Sequence, residues 1–191
     1  MSGKLPSEIG RLLNLQYLNL DSSAEYLPSA FPTQLGDLKQ LQYLGLSQCN
    51  IQGTFPTEVL LMMALTDLGL SMNGFMDSIP PAIGNLTALT SLELDANRLS
   101  GKIPSEVGNL VQLNRLLLSG NRLLGGVPSS LSSLAVLEEL RLDNNDLTGT
   151  LDPIFCGDQE PAIFVADCLG VNEPSTLGIQ CSCCSGCLQP H

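Results

Sequence analysis

Six cysteines near the end of this chain are the residues whose density most suggests chemistry. They are Cys156, Cys168, Cys181, Cys183, Cys184 and Cys187. An even number of closely grouped cysteines predicts three disulfides, because small cysteine-dense segments usually pair. Thiolates at this density can also bind zinc or copper, so a metal or redox site is the alternative. The single histidine, His191, is the last residue, and we therefore favour disulfides and predict no metal.

The sequence offers little for catalysis. A Ser-His or Cys-His pair needs a base, and His191 is the only histidine. Glu93 and Asp95 would share the solvent side of a strand, which is more typical of a surface than of a glycosidase pair. The run from Asp143 to Asp146 is a weak calcium candidate, because Asn145 is expected to point inward. No phosphate-binding glycine loop is present. We predict that the protein is not an enzyme and needs no cofactor.

Composition limits the partners. The net charge is -11 over 191 residues, and nucleic acid and anionic membrane surfaces both require basic patches. No apolar stretch approaches the roughly 20 residues of a membrane span. Aromatic residues make up 4% and tryptophan is absent. The core must therefore consist of Leu, Ile and Val, as in stacked repeats.

An internal repeat supplies that core. The pattern LxxLxL opens every 24 residues at Leu41, Leu65, Leu89, Leu113 and Leu137, and an earlier copy opens at Leu15, 26 residues before Leu41. The period-two segment predicts a short strand with leucines inward, and successive strands stack in parallel about 4.8 Å apart. No single repeat can bury its leucine face alone, so stacking must do so.

Other positions of the repeat have structural roles. An asparagine follows the strand in four of the repeats and can satisfy backbone groups where the chain turns inward. The predicted ladder comprises Ser23, Cys49, Asn73, Asn97, Asn121 and Asn145. Serine and cysteine satisfy backbone groups less well, so we expect a weaker N-terminal half, with Cys49 as a buried structural thiol. Glycine permits a bend, and an apolar-Pro pair starts a short helical turn.

These positions together resemble a known family. The pattern LxxLxLxxNxLxGxIPxxLGxL is similar to that of plant-type leucine-rich repeats, as in receptor-kinase ectodomains and polygalacturonase-inhibiting proteins. The resemblance covers residues 1 to about 152. It implies a curved right-handed solenoid with a second short strand at the LxGxIP segment, and ligand recognition on the concave or lateral face.

The predicted fold class is an α/β repeat solenoid. We expect a parallel sheet on the concave face and short helical or 3₁₀ turns on the convex face. Residues 1–152 would form a partial repeat and six full ones, and residues 153–191 a cysteine-stapled cap that covers the last apolar edge. The cap resembles the tails of extracellular repeat proteins of diatoms and related algae. Met1 falls in mid-repeat, in phase with Leu99, so we expect an N-terminal cap and any signal peptide to be missing.

The concave face carries the predicted ligand site. Its residues are the variable positions of the strand segment, where tyrosine and arginine are favoured at recognition hot spots. The predicted site comprises Tyr17, Asn19, Asp21, Tyr43, Asp67, Met72, Glu93, Asp95, Arg115, Leu117, Glu139 and Arg141. Met72 and Leu117 are expected to be exposed, and Gly45 and Gly69 to leave a shallow hollow beside Tyr43.

The function expected from these features is extracellular recognition of a protein, peptide or glycan. A structural cell-wall or adhesive scaffold and an inhibitor of a secreted hydrolase are the alternatives. Asn85-Leu-Thr87 is a glycosylation sequon on a convex turn, which agrees with a secretory route. The expected location is therefore the cell exterior or the cell surface.

Overall fold

The structure, a computed structural model, describes residues 5–22, 28–155, 161–167, 178–180 and 186–188. Its strands are β1 (Tyr17–Asn19), β2 (Tyr43–Gly45), β3 (Gln52–Thr54), β4 (Asp67–Gly69), β5 (Gly74–Ser78), β6 (Ser91–Glu93), β7 (Arg98–Gly101), β8 (Arg115–Leu117), β9 (Arg122–Gly126), β10 (Glu139–Arg141), β11 (Asp146–Thr150), β12 (Ile163–Asp167), β13 (Gly178–Gln180) and β14 (Gly186–Leu188). The 3₁₀ turns are η1 (Ser7–Arg11), η2 (Thr33–Asp37), η3 (Thr57–Leu61), η4 (Pro81–Asn85), η5 (Ser105–Asn109) and η6 (Ser129–Ser133). One short helix, α1, spans Asp152–Phe155.

Two parallel sheets run along the molecule. The first sheet has the order β1-β2-β4-β6-β8-β10-β12-β14, and the second has the order β13-β11-β9-β7-β5-β3. Each of the four coils that begin at Leu41, Leu65, Leu89 and Leu113 contributes one strand to each sheet and one 3₁₀ turn, and the coil that begins at Leu137 contributes β10 and β11. The repeat solenoid predicted from the sequence is confirmed, including the second strand at the LxGxIP segment.

Leucines at the repeat positions form the core. Leu41, Leu44 and Leu46 are fully buried, as are the equivalent leucines one coil later, Leu65, Leu68 and Leu70. The strands are only three residues long in the first sheet between β1 and β10. Such strands cannot be stable alone, because three or more paired strands with an apolar face are needed. Stacking of coils therefore stabilises every strand.

Proline residues begin the 3₁₀ turns. Pro6, Pro32, Pro56, Pro80, Pro104 and Pro128 each precede a turn with extended backbone angles. The carbonyl of Pro104, for example, accepts the backbone N–H of Val107 at 3.2 Å. Proline lacks an N–H but keeps its carbonyl, so it starts the turn without leaving a donor unsatisfied.

The first sheet continues past residue 152, where the sequence pattern ends. Strand β12 pairs in parallel with β10, with Glu139 opposite Ile163 and Leu140 opposite Phe164. This offset is 24 residues, the same as between the preceding strands. Phe164 and Ala166 are fully buried in the leucine positions of this strand. The segment proposed as a cap therefore begins with a further coil of the same sheet, while the boundary at residue 152 stays a proposal.

Candidate functional site

The solvent side of the first sheet, here called the first-sheet face, holds most of the predicted ligand residues. The register places Tyr17, Tyr43, Asp67, Ser91, Arg115 and Glu139 in one row and Asn19, Gly45, Gly69, Glu93, Leu117 and Arg141 in the next. Asp21 and Asp95 each lie two residues beyond the end of their strands, β1 and β6. Met72 lies just beyond β4 with a positive φ of 56° and is 55% exposed. Which of these residues contact a ligand stays a prediction.

Two tyrosines stack at the N-terminal end of this face. The ring centroids of Tyr17 and Tyr43 are 4.4 Å apart and the ring planes are inclined by 14°. Tyr17 remains 60% exposed, and the side-chain amide of Asn19 lies 3.4 Å from the hydroxyl of Tyr43. Stacked rings lose little conformational entropy on binding, because each side chain has two torsions and one ring holds the other. The pair is therefore a preformed contact surface.

A shallow hollow adjoins the stack. It has a volume of about 40 Å³ and is partly open to solvent, and its lining is Asp21, Tyr43, Ser47, Asp67, Leu68, Gly69, Ser91 and Glu93. A side chain on Gly69 would have its Cβ 3.3 Å from the hydroxyl oxygen of Ser47, so glycine keeps the floor open. Gly45 is different, because other side chains already cover it. A Cβ there would lie 2.8 Å from a carboxylate oxygen of Asp21 and 2.9 Å from the ring of Tyr43.

The hollow has a negative character. Asp21, Asp67 and Glu93 supply three carboxylates to its lining. Burial raises the pKa of the Tyr43 hydroxyl, and the charges of Asp21, Tyr17, Glu93 and Asp67 raise it further. Tyr43 therefore stays protonated at neutral pH and can both donate and accept hydrogen bonds there. Within the described part of the chain, neither Asp21 nor Asp67 forms an ion pair with a basic side chain.

The other half of the first-sheet face carries charges that satisfy one another. The Arg115 Nε lies 3.1 Å from a carboxylate oxygen of Glu139 and 3.5 Å from one of Glu93. The Arg141 Nε donates to the second oxygen of Glu139 at 2.6 Å. These four side chains form a chain of alternating charge across three strands. Because its charges are already paired, this network attracts a charged ligand less strongly than the carboxylates of Asp21 and Asp67 in the hollow do.

The expectation that Leu117 is exposed is wrong. Its side chain is only 7% exposed. Leu117 lies between Glu93 and Arg141 in the register of the sheet, and Arg115 is two residues earlier on the same strand. Long charged side chains cover apolar neighbours with their methylene stems while their heads reach water. The ion-pair network thus encloses Leu117 and removes it from the available apolar surface.

Serines and aspartates at one repeat position beside the strands make hydrogen bonds between coils, which the sequence analysis did not predict. The Ser119 hydroxyl donates to an Asp143 oxygen at 2.6 Å, and the Ser71 hydroxyl donates to Asp95. Near the N-terminal end, the Ser47 N–H donates to Asp21 at 2.7 Å. The restriction of this repeat position to Ser or Asp, from Asp21 to Asp143, was the available signal. Asp95 and Asp21 therefore have structural hydrogen bonds in addition to any contact with a ligand.

The ladder asparagines all make the same set of hydrogen bonds. The amide nitrogen of Asn97 donates to the carbonyls of Leu70, Leu94 and Asp95 at 3.0–3.2 Å, and its oxygen accepts the N–H of Phe75 at 3.1 Å. Asn73, Asn121 and Asn145 repeat this arrangement one coil apart. Each asparagine thus joins two coils. Ser23, the first predicted member, lies outside the described residues.

Cys49 takes part of the asparagine role. It is 1% exposed, and its thiol donates to the carbonyl of Leu20 at 3.1 Å and to that of Ser47 at 3.6 Å. The N–H of Cys49 itself donates to the side-chain oxygen of Asn73 at 3.1 Å. A thiol is a weak donor, so this coil has weaker side-chain hydrogen bonds than the coils of Asn97 and Asn121.

The other predicted positions lie away from the first-sheet face. Asn85 ends the turn η4 and is exposed, as is Thr87. Cys156, Cys168, Cys181, Cys183 and Cys184 lie outside the described residues, and so does the side chain of Cys187. The disulfide prediction therefore stays a prediction. Among the side chains that the structure describes, no group of three or more His, Cys, Asp or Glu is arranged to hold a metal ion. Within the same residues, no helix is long and apolar enough to cross a membrane.

Comparison with solved structures gives the context of this geometry. The HAESA receptor-kinase ectodomain of Arabidopsis, solved with an N-terminally extended IDA peptide hormone, is 37% identical with a TM-score of 0.74, over 78% of this chain and 25% of that one. The GASSHO1/SCHENGEN3 ectodomain from Arabidopsis thaliana, solved with CASPARIAN STRIP INTEGRITY FACTOR 2, is 33% identical with a TM-score of 0.74, over 78% and 18%. A plant ice-binding protein is 30% identical with a TM-score of 0.72, over 84% and 51%.

The chain spans about a fifth to a quarter of the two receptor ectodomains and half of the ice-binding protein. No curated protein matches its sequence. The family model described as Leucine Rich Repeat matches residues 40–61, 64–86, 88–110, 112–134 and 136–157. These five matches cover more than half of the chain at the period of the coils, and the protein therefore belongs to the leucine-rich repeat family.

Proposed function

We propose that this protein is an extracellular recognition module that binds a peptide or an extended protein segment on its first-sheet face. The observation that carries the proposal is the stacked pair Tyr17 and Tyr43 beside an open hollow. Exposed, immobilised aromatic rings next to polar groups are typical of interaction hot spots. The similarity to receptor ectodomains solved with a peptide hormone supports the same function.

Binding fits this surface better than catalysis does. Many polar groups of the face are held by structural hydrogen bonds, as Ser119 and Asp143 are, or are paired in the network of Arg115, Glu139 and Arg141. The hollow is shallow and open, so it does not exclude water as a reaction site would need to. A rigid row of strands instead suits an extended ligand that contacts several coils.

An extracellular location is part of the proposal. The ectodomains that the chain resembles belong to plant membrane receptors. Three disulfides among the C-terminal cysteines and a glycan on Asn85 would agree with that location. Intact mass after alkylation without reductant tests the thiols: a single alkylated cysteine agrees with the proposal. Several reactive thiols, or bound zinc or copper in the same sample, would place the protein in a reducing compartment or assign the cysteines to a metal.

Selection of peptides tests the binding function directly. The full chain, secreted from eukaryotic cells and immobilised, is presented with a display library of random 12-residue peptides. We expect enrichment of peptides whose binding is lost on the Tyr43→Ala variant and retained on Leu124→Ala, which removes an exposed apolar side chain from the second sheet. Failure to enrich any peptide, or equal capture by both variants, would contradict the proposed function.

A further inference from the structure

We propose that the hollow beside the tyrosine stack is a pocket for an arginine side chain of the ligand. This inference rests on the proposed function and specifies the chemistry of that site. The guanidinium group would lie against the aromatic surface of Tyr43 and pair with the carboxylate of Asp67. The remainder of the peptide would follow the strands toward the network around Arg115.

The aromatic surface is the first part of the argument. Tyr17 covers one side of the Tyr43 ring at a centroid distance of 4.4 Å. Strand β4, which bears Asp67, lies on the opposite side of β2 from β1. Tyr43 and Asp67 both line the hollow, so an aromatic ring and a carboxylate are presented together. A planar guanidinium stacks on aromatic rings and pairs with carboxylates, whereas an ammonium does so only as a point charge.

The charge balance of the hollow is the second part. Three carboxylates line it, from Asp21, Asp67 and Glu93. Glu93 has a partner in Arg115 at 3.5 Å, and Asp21 accepts the N–H of Ser47. Asp21 and Asp67 both accept only neutral donors among the contacts that the structure describes, Asp67 from the hydroxyl of Thr66 at 2.7 Å. Of the two, Asp67 lies on the strand on the side of β2 away from Tyr17. Charge complementarity therefore calls for a cation next to Asp67.

The arrangement selects an organic cation over a metal ion. Within the described residues, His, Cys, Asp and Glu do not gather in threes in a way that could hold a metal. The Tyr43 hydroxyl is protonated at neutral pH, as an ordinary tyrosine is, and a neutral phenol is a good hydrogen-bonding partner but a poor metal ligand. The open floor at Gly69 leaves room for a flat side chain. These features fit a guanidinium better than a divalent ion.

The experiment uses three defined pentapeptides that differ only in the central side chain. They are acetyl-Gly-Gly-Arg-Gly-Gly-amide, its lysine analogue, and its citrulline analogue, which has the shape of arginine without the charge. The full chain has three tyrosines, so labelling with 3-fluorotyrosine gives three fluorine signals that Tyr→Phe variants assign. We expect the arginine peptide to shift the Tyr17 and Tyr43 signals saturably and to bind at least about fivefold more tightly than the citrulline peptide.

Two charge-matched variants complete the test. Asp67→Asn should weaken the arginine peptide about fivefold, while Asp146→Asn, which removes the same charge from an exposed position on the second sheet, should leave its affinity unchanged. Thermal melting of each variant confirms folding, and Tyr17→Ala provides a second variant at an exposed position. Equal binding of the citrulline peptide, or equal weakening by both aspartate variants, would overturn the proposal. Equal binding of the lysine peptide would overturn the choice of arginine.

The outcomes separate the two proposals. If library selection enriches peptides that require Tyr43 but not arginine, the recognition function stands and the arginine pocket is wrong. If no library peptide is enriched but the arginine pentapeptide binds at Tyr43, the pocket exists and peptide recognition as proposed fails. If the wild-type protein enriches peptides that contain arginine and the Asp67→Asn variant does not, both proposals are supported.

Discussion

The side-chain oxygen of Asn97 accepts the backbone N–H of Phe75, 22 residues earlier, at 3.1 Å. Both residues are buried, Phe75 at 1% and Asn97 at 8% exposure. A backbone N–H at this depth cannot bond to water, so the asparagine side chain supplies the hydrogen-bond acceptor that the turn itself lacks. The relationship recurs between Asn121 and Leu99 at 3.0 Å, and it fixes the spacing of adjacent coils.

Replacing Asn97 by alanine should therefore be costly. The change leaves the Phe75 N–H and the carbonyls bonded by the amide nitrogen without side-chain partners, and we expect a loss of about 2–4 kcal/mol in the free energy of unfolding. Chemical denaturation followed by circular dichroism measures it. Asn109→Ala, at an exposed position of turn η5, is the control and should stay within about 0.5 kcal/mol. Equal losses in the two variants would contradict the role of the ladder.

Gly108 should tolerate no side chain, because turns η5 and η6 approach closely there. A Cβ on Gly108 would lie 2.4 Å from the carbonyl oxygen of Ser130. We expect Gly108→Ala to destabilise the protein by about 1–3 kcal/mol through overpacking. Gly126→Ala is the matched control, since its Cβ would lie 3.9 Å from the nearest atom. A stable Gly108→Ala variant would mean that the turns can separate without loss of stability.

Asp77 occupies a position where four other coils have glycine, namely Gly53, Gly101, Gly125 and Gly149. Its φ is 67°, and the equivalent glycines include Gly53 at 119° and Gly101 at 74°. A left-handed backbone costs an L-residue roughly 1–2 kcal/mol, and glycine avoids this cost. We expect Asp77→Gly to be more stable than Asp77→Ala by about 1 kcal/mol, measured as a difference in denaturation midpoint. The opposite order would show that this backbone conformation is not strained.

Tyr43→Ala should weaken binding of a selected peptide about tenfold, which corresponds to about 1.4 kcal/mol. The fold should persist, because the ring lies on the solvent side of β2 rather than in the leucine core. Titration calorimetry on wild-type, Tyr43→Ala and Leu124→Ala proteins gives the comparison. An unchanged affinity for Tyr43→Ala would move the site away from the N-terminal half of the first-sheet face.

The ionisation of Tyr43 provides a test that needs no ligand. Burial and nearby negative charges raise its pKa, so the folded state keeps the proton to higher pH than the unfolded state does. The resulting stability is fully present below the unfolded pKa and is lost as the pH rises through the folded pKa. Asp21→Asn removes the nearby charge with the largest effect and should lower the pKa of Tyr43, as measured by fluorine chemical shift against pH. No change in that pKa would mean that the Asp21 carboxylate does not act on the Tyr43 hydroxyl.

The sequence predicts the coils well where repeat positions are filled by their usual residues. Asn73, Asn97, Asn121 and Asn145 stand at fixed spacing, and the amide of each turns inward to bond backbone groups. The strand β12 was not predicted, because Phe164 and Ala166 fill the leucine positions. A packed coil needs apolar volume rather than leucine itself, and only the register shows that these residues supply it.

The candidate site was predictable in its positions but not in its interactions. Alternation along the strands places Tyr17 and Tyr43 on one side of the sheet, and their stack follows from their register. The burial of Leu117 was not predictable, because it depends on where the side chains of Glu93, Arg115 and Arg141 reach. Those conformations are set by ion pairs between coils, which spacing along the chain does not encode.

The two sheets differ in register, and this difference governs what patterns each surface can display. Neighbouring first-sheet strands from β2 to β12 pair residues 24 apart, which equals the repeat length, whereas β3 to β11 pair residues 22 apart. Duplicating a coil would therefore extend a straight column of identical groups on the first sheet but a diagonal on the second. Duplication of coils can thus build a regular array of one side chain on the first sheet. On the second sheet the same duplication brings different repeat positions next to one another, so that surface becomes more varied.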